Sequence, residues 1–434
     1  MTTLPPKHRT AYVNARLLDP ASGLDATGGL LAEDGRITDV GPGLFSDGLP
    51  EGIQRVDCAG ACLAPGLVDM RVQLREPGEE HKETMDSAGR AAAAGGVTSM
   101  VGLPNTEPVI DDVAGVEFIA RRAREVKGVK VYTYAAVTRQ LEGREITEMG
   151  LLAESGAVAF TDGLKPVADA QVMRRALAYA TTFGHLIIQH PEEPSLSGGA
   201  MNGGELATRL GLPGIPKLAE VMMIERDLRL VEMTGGRYHV AHVSTAESVE
   251  AIRRAKARGL NVTCDTAPHY FALNEIAVGD YRTFAKVSPP LRSEDDRVAV
   301  MEGVADGTID AVASDHAPHD VESKRLPFAI AEPGIVGLET LLPLSLLLMH
   351  WEKAGLLDVL ARLTVKPAEI LGLKAGRLAK GAPADLLIFE PQRAWKIEPE
   401  KFASKSKNSP FEGLPVEGRV KRTVVDGRTL FEAN

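Results

Sequence analysis

Hydrophobic and polar positions alternate with two different periods along this chain. Near both ends, apolar residues recur about every second position in segments such as AYVNARLL and GRLAKGAPADLLIFE, and glycines interrupt them. This pattern is typical of β-strands joined by tight turns. Neither end is long enough for an independent hydrophobic core. We therefore predict that residues 1–65 and residues 366–434 pair into one small β-domain.

Between these ends, over residues 66–365, short apolar runs alternate with longer amphipathic stretches. HLIIQH, YHVAHV and TIDAVASDH indicate buried strands, whereas DAQVMRRALAYATTFG and STAESVEAIRRAKARG indicate helices. In the latter, Ser244 and Glu247 have capping-box spacing and Gly259 marks the end. Alternating strands and helices form parallel sheets, and about eight such units close a barrel. The predicted fold class is α/β, a TIM (β/α)8 barrel with a β-domain built from both termini.

Composition narrows the choice of partners. The net charge is −10 and the pI is about 5.6, whereas nucleic-acid and lipid-surface partners require a basic footprint. We therefore expect neither. Cys58, Cys62 and Cys264 are too few for a disulfide framework and are expected to be buried free thiols. The N-terminus has no apolar run and the most apolar stretch, 341–349, is too short to span a bilayer, so we expect a cytoplasmic protein. The basic segment 404–410 is predicted to be a solvated connector.

Candidate chemistry is concentrated where the predicted strands end. His190 ends HLIIQH, His242 ends YHVAH, and Asp315 ends the run TIDAVASD. A single histidine in such a position is usually structural, but strand ends of a TIM barrel converge on the face that carries the active site. Imidazoles and carboxylates gathered there suit Zn²⁺, which activates water and polarises carbonyl groups. The residues alone therefore favour a metal-dependent hydrolase over a set of structural histidines.

Several longer segments resemble those of a known family. APGLVDMRVQLREPGEEHKET, GLPNTEPVIDD, SPPLR, ASDHAPH and PGIVGLE are similar to the signature segments of dihydroorotase, of the class found beside aspartate carbamoyltransferase in bacteria. The resemblance runs in order over essentially the whole chain. It implies an amidohydrolase of de novo pyrimidine (UMP) biosynthesis that interconverts dihydroorotate and N-carbamoyl-aspartate with the help of one or two Zn²⁺ ions.

The resemblance also implies roles for individual residues. Asp315 is expected to be the catalytic proton shuttle and a metal ligand. His190 and His242 match two histidine ligands, and Asp162 is a weaker candidate ligand. The remaining implied contacts are to substrate, and they fall on Arg75, Asn105, His319 and Ser288, the last of which stands where the family has Asn.

Other metal-ligand positions of the family are replaced. Its two histidines on the first barrel strand correspond to Arg71 and Gln73, and its bridging aspartate corresponds to Gly163. A guanidinium cannot bind a cation, so we expect at most one Zn²⁺ per chain, or none. Without an ion, Asp315 and Asp162 lack compensation. We therefore predict that Arg71 lies within salt-bridge reach of one of them; the alternative is that Arg71 points out of the barrel towards water.

Three functions remain open at this stage. The first is a working dihydroorotase with a reduced site. The second is a non-catalytic subunit that supports aspartate carbamoyltransferase, and the third is another cyclic amidohydrolase of the hydantoinase or allantoinase type. The resemblance further implies dihydroorotate or N-carbamoyl-aspartate as ligand, association with aspartate carbamoyltransferase, and a homo-oligomer.

Overall fold

The computed structural model of this protein describes residues 9–46, 48–49 and 51–433. Residues 1–8, which belong to the segment in which we expect no signal peptide, lie outside the described residues. Within the described ranges, no helix combines the length and the apolar character needed to cross a lipid bilayer.

The strands belong to a sheet formed by the two chain ends, to a central barrel, and to one short two-stranded pair. In chain order they are β1 (Arg9–Asp19), β2 (Leu24–Glu33), β3 (Arg36–Gly41), β4 (Gln54–Asp57), β5 (Cys62–Pro65), β6 (Leu67–Val72), β7 (Val97–Gly102), β8 (Lys130–Ala135), β9 (Ala157–Phe160), β10 (Leu186–Gln189), β11 (Met201–Asn202), β12 (Gly214–Ile215), β13 (Arg237–Val240), β14 (Val262–Thr266), β15 (Ala311–Val312), β16 (Leu386–Lys396), β17 (Pro415–Val425) and β18 (Arg428–Glu432).

The helices lie mainly between the barrel strands. They are α1 (Met85–Ala94), α2 (Val113–Val126), α3 (Met149–Glu154), α4 (Ala170–Phe183), α5 (Glu205–Leu210), α6 (Leu218–Thr234), α7 (Ala246–Ala257), α8 (Pro268–Ala272), α9 (Glu294–Asp306), α10 (Val321–Arg325), α11 (Leu341–His350), α12 (Leu356–Leu363) and α13 (Val365–Leu371). Short 3₁₀ helices occur at Arg139–Leu141, Glu275–Val278, Thr283–Ala285 and Pro399–Lys401.

The two chain ends form one sheet. Its strand order is β18-β17-β16-β5-β1-β2-β3, with β4 also paired to β1. Strand β5 joins the two ends, because it pairs with β1 on one side and antiparallel with β16 on the other. One face of this sheet encloses a separate apolar cluster that includes Tyr12, Leu30 and Leu386. Burying alternate residues of strands from both ends explains why neither end needs a core of its own.

A second sheet, also of eight strands, forms the barrel. Its order is β15-β14-β13-β10-β9-β8-β7-β6, and all of its neighbouring strands pair in parallel. A parallel bridge between Val72 and His316 joins its two edges, and the amide of Gln73 donates to the carbonyl of His316 over 2.8 Å. The predicted fold class, a TIM barrel with a β-domain from both termini, is confirmed.

Helices α4 and α7 are both present where the sequence predicts helices, but the capping residue of α7 differs from the predicted one. Helix α4 begins after Asp169, whose side chain accepts from the amides of residues 171 and 172, and ends at Gly184 in the left-handed region, as the sequence suggests. The capping residue of α7 is Thr245, so the prediction of Ser244 was wrong. Ser244 instead donates its hydroxyl to the buried carboxylate of Glu220, which satisfies a group from the neighbouring helix.

The three cysteines are free and buried, as predicted. Burial raises the pKa of the Cys58 and Cys62 thiols to about 11. These thiols are therefore protonated near neutral pH and behave as small apolar side chains.

Candidate functional site

The closing seam of the barrel positions the central pair of the site. Arg71 lies on β6, the first barrel strand, and Asp315 follows β15, the last. The bridge from Val72 to His316 is adjacent to both residues. Although the two residues are 244 positions apart in sequence, closure of the barrel places them side by side at its carboxyl-terminal mouth, where active sites of this fold lie.

Arg71 and Asp315 form a buried ion pair. The Nε group of Arg71 donates to Oδ1 of Asp315 over 2.8 Å, with side-chain exposures of 2% and 10%. A second guanidinium nitrogen, Nη2, lies 3.4 Å from the carbonyl oxygen of Gly163. The prediction that Arg71 reaches one of the two aspartates is confirmed, and the alternative of an outward-pointing side chain is wrong. Burial opposes ionisation of Asp315, but His242 and Arg71 outweigh it and hold the pKa of this carboxyl well below its ordinary value.

A chain of polar contacts continues from Asp315. Its Oδ2 atom lies 3.4 Å from Nδ1 of His242, and Nε2 of His242 lies 2.7 Å from Nδ1 of His190. Nε2 of His190 is 3.1 Å from Oε2 of Glu192, which also accepts a 2.7 Å hydrogen bond from the hydroxyl of Ser288. The histidines at the strand ends are thus brought together as expected, whereas Glu192 was not anticipated by the sequence analysis.

The contacts from Asp315 to Glu192 join two carboxyl groups through two imidazoles. Burial opposes ionisation of Glu192, yet hydrogen bonds from His190 and Ser288 lower the pKa of its carboxyl to about 2. Burial and the charge on Arg71 lower the pKa of His242 to about 4. Near neutral pH, Glu192 is therefore an anion and His242 a neutral imidazole.

The geometry of these residues does not fit a zinc ion. Two nitrogen ligands of one tetrahedral Zn²⁺ lie roughly 3.3 Å apart, whereas 2.7 Å separates the facing nitrogens of His190 and His242, the spacing of a hydrogen bond. The third expected ligand, Asp315, is engaged by the Arg71 guanidinium. Over residues 9–46, 48–49 and 51–433, no group of three or more His, Cys, Asp or Glu side chains is arranged to hold a metal ion.

Asp162 and Gly163 do not supply the missing ligand. The carboxyl of Asp162 accepts from the amide of Thr138 over 2.8 Å and from the Thr138 hydroxyl. Burial nevertheless raises the pKa of Asp162 to about 6. Gly163 adopts φ +69°, and a Cβ placed there would lie 3.1 Å from Oδ1 of Asn105. Asn105 therefore adjoins the carbonyl that Arg71 contacts, and a larger residue at 163 would crowd it.

Two of the four expected substrate contacts, Arg75 and His319, form a second cluster. Arg75 places Nη2 3.2 Å from Nε2 of His319 and donates through Nη1 to Glu79 over 2.7 Å. Burial and the nearby positive charge of Arg75 lower the pKa of His319 to about 2, so this imidazole is neutral. The structure thus brings Arg75 and His319 together. Ser288 lies with the histidine chain instead, through its bond to Glu192.

Three residues of the site have left-handed backbone conformations, which ten other non-glycine residues in the described part of the chain also adopt. Arg75, His242 and Asp315 have φ values of 60°, 39° and 50°, respectively. Residues other than glycine rarely adopt this left-handed region, because it strains their backbone. Such backbone strain concentrates at functional sites. The barrel mouth therefore holds its charged and imidazole groups by strained turns that the surrounding fold maintains.

The segment 404–410 behaves differently from its prediction. Ser404, Ser406, Asn408 and Ser409 are buried, so the expectation of a solvated connector was wrong. Three of these side chains pair with distant residues: the Ser404 hydroxyl donates to Glu83, that of Ser406 donates to the carbonyl of Lys82 over 2.7 Å, and Asn408 pairs with backbone near His319. The Ser409 hydroxyl accepts from the amide of Phe411. Sequence polarity alone could not reveal partners more than 320 positions away.

Two family models and several named relatives match this chain over nearly its full length. The family model described as "Dihydro-orotase-like" matches residues 60–248, and the "Amidohydrolase family" model matches residues 220–431. A protein of Anaplasma phagocytophilum (strain HZ) named "Dihydroorotase" is 48% identical, covering 98% of this chain and 96% of its own length. A protein of the same name from Wolbachia sp. subsp. Drosophila simulans (strain wRi) is 49% identical over the same shares.

Solved structures extend the comparison to the fold. The L-hydantoinase (dihydropyrimidinase) from Arthrobacter aurescens superposes with a TM-score of 0.86 at 25% identity and covers 98% of this chain and 96% of its own. The dihydropyrimidinase from Brevibacillus agri NCHU1002 gives a TM-score of 0.83 at 22% identity, with 98% and 95% covered. At these identities the likeness establishes a shared architecture of barrel and terminal sheet.

Proposed function

Because this chain belongs to the dihydroorotase family of amidohydrolases, we propose that it interconverts dihydroorotate and N-carbamoyl-aspartate in pyrimidine biosynthesis. Whole-chain similarity to relatives that carry the enzyme's name favours this over a non-catalytic role. Similarity to hydantoinases is lower and supports only the common fold. The observation that carries the proposal is the position of Asp315, which lies at the barrel mouth 2.8 Å from the Arg71 guanidinium.

Ring opening requires a proton to move from water to nitrogen. A water molecule adds to the ring carbonyl carbon next to the nitrogen, the C–N bond breaks, and the nitrogen gains a proton. Contacts with His242 and Arg71 hold the pKa of Asp315 below its ordinary value, which favours its carboxylate form. This carboxylate accepts the proton of the attacking water and returns it to the leaving nitrogen. General acid–base catalysis of this kind contributes about 10²–10⁴ in rate. Ring closure follows the same steps in reverse.

The second cluster supplies recognition of the substrate carboxylate. Arg75 and His319 are 3.2 Å apart, and the N–H groups of the guanidinium suit a carboxylate. Nε2 of His319 also lies 3.0 Å from the carbonyl of Pro333, to which the neutral ring donates, so its buried Nδ1, which has no hydrogen-bond partner among the described residues, is an acceptor for a ligand N–H group. We assign the substrate carboxylate to Arg75 with His319, and Asn105, which adjoins Gly163, is a further candidate contact. Ser288 contributes only if its hydroxyl turns from Glu192 to the ligand.

No zinc is assigned to the reaction, because the side chains present do not fit one. The finer expectation of at most one Zn²⁺ per chain therefore becomes a proposal of none at the Asp315 site. The resemblance also implies association with aspartate carbamoyltransferase and a homo-oligomer. Co-expression followed by size-exclusion chromatography tests this: we expect co-elution for wild type and for Asp315→Asn, and separate elution would remove the partner from the account.

Turnover in both directions tests the proposed reaction. Purified protein should open dihydroorotate at alkaline pH and close N-carbamoyl-aspartate at acid pH, and Asp315→Asn should lower kcat by about 10³. The control is Asp358→Asn, an exposed residue at the start of α12, which should leave the rate unchanged. Turnover by wild type no greater than that by Asp315→Asn would reject the proposal.

A further inference from the structure

We propose that Arg71 takes the place of a metal ion as the electrophile of this site, an inference that rests on the proposed function. The guanidinium belongs to the first barrel strand, at the position where the family resemblance implies a metal ligand. It brings a permanent positive charge to Asp315. Such a charge, fixed in a water-poor mouth, stabilises negative charge that develops on a carbonyl oxygen.

The guanidinium has capacity left for a ligand. Nε is used by Asp315 over 2.8 Å, and Nη2 makes only a long contact of 3.4 Å to the carbonyl of Gly163. Nη1 makes no hydrogen bond to any residue in the described part of the chain. Because five N–H donors are arranged in one plane, Arg71 can keep its bond to Asp315 while its two Nη groups meet a substrate oxygen.

Two neighbouring side chains are also without partners. Gln73, which directly follows β6, has a buried Oε1 atom with no hydrogen bond within the described residues. His269 is buried, and its Nε2 atom lies 3.9 Å from Oδ2 of Asp315 without a hydrogen bond. Buried polar atoms are seldom left unsatisfied, because each costs about 1–3 kcal/mol. Around the ion pair they indicate a polar ligand, such as a ring amide, that supplies the missing donors and acceptors.

The chemical step balances without a metal or a redox partner. The water oxygen bonds to the ring carbonyl carbon while Asp315 takes the water proton. The carbonyl electron pair moves to oxygen, and Arg71 holds the resulting oxyanion. When that pair returns, the C–N bond breaks, and Asp315 gives its proton to the nitrogen. The products are the carboxyl group and the ureido NH₂ of N-carbamoyl-aspartate.

Chelation together with substitution of Arg71 tests this role. Wild type is dialysed against a chelator, its metal content is measured, and its kcat is compared before and after. We expect kcat to stay within about twofold, and Arg71→Met to lower it by about 10²–10³ with a smaller change in KM. Arg71→Lys keeps the charge but not the planar donors, so its kcat should lie between the two. Arg175→Met, an exposed change on α4, is the control.

The outcomes separate the two proposals. Activity that falls with zinc removal and returns with zinc would overturn the role of Arg71 and leave the proposed function standing. A wild type that turns over neither substrate, with or without added zinc, would overturn both. Thermal unfolding of each variant shows whether it is folded, and Arg71→Lys keeps the test decisive where Arg71→Met is unstable.

A separate observation concerns Asn408 in the C-terminal segment. Its buried amide makes three hydrogen bonds: Oδ1 accepts from the amide of His319 over 3.2 Å, and Nδ2 donates to the carbonyls of Ala317 and Gly334 over 3.0 Å each. The first two bonds hold the turn that follows β15 and carries Asp315 and His319. The third ties this turn to the neighbouring loop. We infer that Asn408 is a positioning residue for the mouth of the barrel.

The nature of these bonds makes the role specific. Every bond from the Asn408 side chain goes to backbone, so it fixes the course of the turn rather than one side chain. Its exposure is 2%, which keeps water from replacing the amide. The carbonyl of Asn408 also accepts from the amide of Val336 over 3.0 Å. Loss of the side chain should therefore loosen residues 315–319 while the segment itself remains attached.

Kinetics and hydrogen exchange together test Asn408. We expect Asn408→Ala to raise KM by about tenfold and to speed amide exchange at residues 315–319. Asn408→Asp keeps the acceptor for the His319 amide, so exchange at His319 should rise less, and this variant covers the case of an unstable alanine variant. Ser406→Ala, which lies in the same segment but bonds to Lys82, is the control. Equal KM and equal exchange in Asn408→Ala and Ser406→Ala would overturn the inference, whatever their melting temperatures.

Discussion

Arg71 donates from Nε to Oδ1 of Asp315 over 2.8 Å, and both side chains are almost fully buried. The two residues come from the first and last strands of the barrel, so their ion pair lies across the seam that closes it. Taking one partner away leaves the other charge buried without compensation. The pair therefore contributes both to the stability of the closed barrel and to the chemistry at its mouth.

A double-mutant cycle measures this connection. Arg71→Met alone should destabilise the protein by about 3–5 kcal/mol, because the Asp315 carboxylate is left uncompensated. In the double variant Arg71→Met with Asp315→Asn, the loss should be smaller than the sum of the single losses by about 1–3 kcal/mol. Urea unfolding gives these values. The exposed pair Arg90 and Asp86 is the control and should couple by less than about 1 kcal/mol; additive losses at Arg71 and Asp315 would contradict the account.

Metal content should respond to the first barrel strand. Wild type should retain at most one zinc per chain, and dialysis against a weak chelator should remove it. Arg71→His combined with Gln73→His supplies two imidazoles and removes the competing cation, so retained zinc should rise. Elemental analysis after dialysis provides the measurement. Even one zinc ion per chain retained by the wild type after dialysis would mean that the ligand set has been misjudged.

A matched pair of glycines separates backbone strain from crowding at the site. Gly163 and Gly184 have φ values of +69° and +68°, but only at Gly163 would a Cβ meet a neighbour, Asn105. Alanine should cost about 1–2 kcal/mol at either position because of left-handed strain. Gly163→Ala should cost more and should also raise KM, because it displaces Asn105. Equal effects of the two substitutions on stability and on KM would show that Asn105 has room to move.

The pH dependence of stability should change at Glu339. Burial raises the pKa of this carboxyl to about 7, above its unfolded value of about 4.3. The native state therefore binds more protons between these values, so the contribution of Glu339 to stability is present below about pH 4 and is lost as pH rises through 7. Glu339→Gln should remove this loss and raise the melting temperature relative to wild type by about 1–3 °C at pH 8.

The control for that comparison is the same pair of proteins at pH 5. There Glu339 is protonated in the native state, so the melting temperatures of wild type and Glu339→Gln should lie closer together. A constant difference between the two proteins from pH 5 to pH 8 would contradict the assignment.

The sequence predicts the larger architecture because hydrophobic periodicity is a local signal. The barrel, the shared terminal sheet and the approach of Arg71 to an aspartate follow from periods, strand ends and charge compensation. The sequence could not predict that the Asp162 carboxyl is already hydrogen-bonded, since its partners are the amide and hydroxyl of Thr138. Burial of Asn408 likewise depends on backbone groups 74 to 91 positions away. Polar residues that satisfy distant backbone have the same composition as solvated loops.

The most direct test of the central claim is a crystal structure of the protein grown with excess zinc, with anomalous data collected at the zinc edge. The account predicts no anomalous peak between His190, His242 and Asp315, and density for the Arg71 guanidinium about 2.8 Å from the Asp315 carboxylate, as found here. A peak about 2.0–2.3 Å from the ligand atoms of His190, His242 and Asp315, with Arg71 turned away from Asp315, would contradict it.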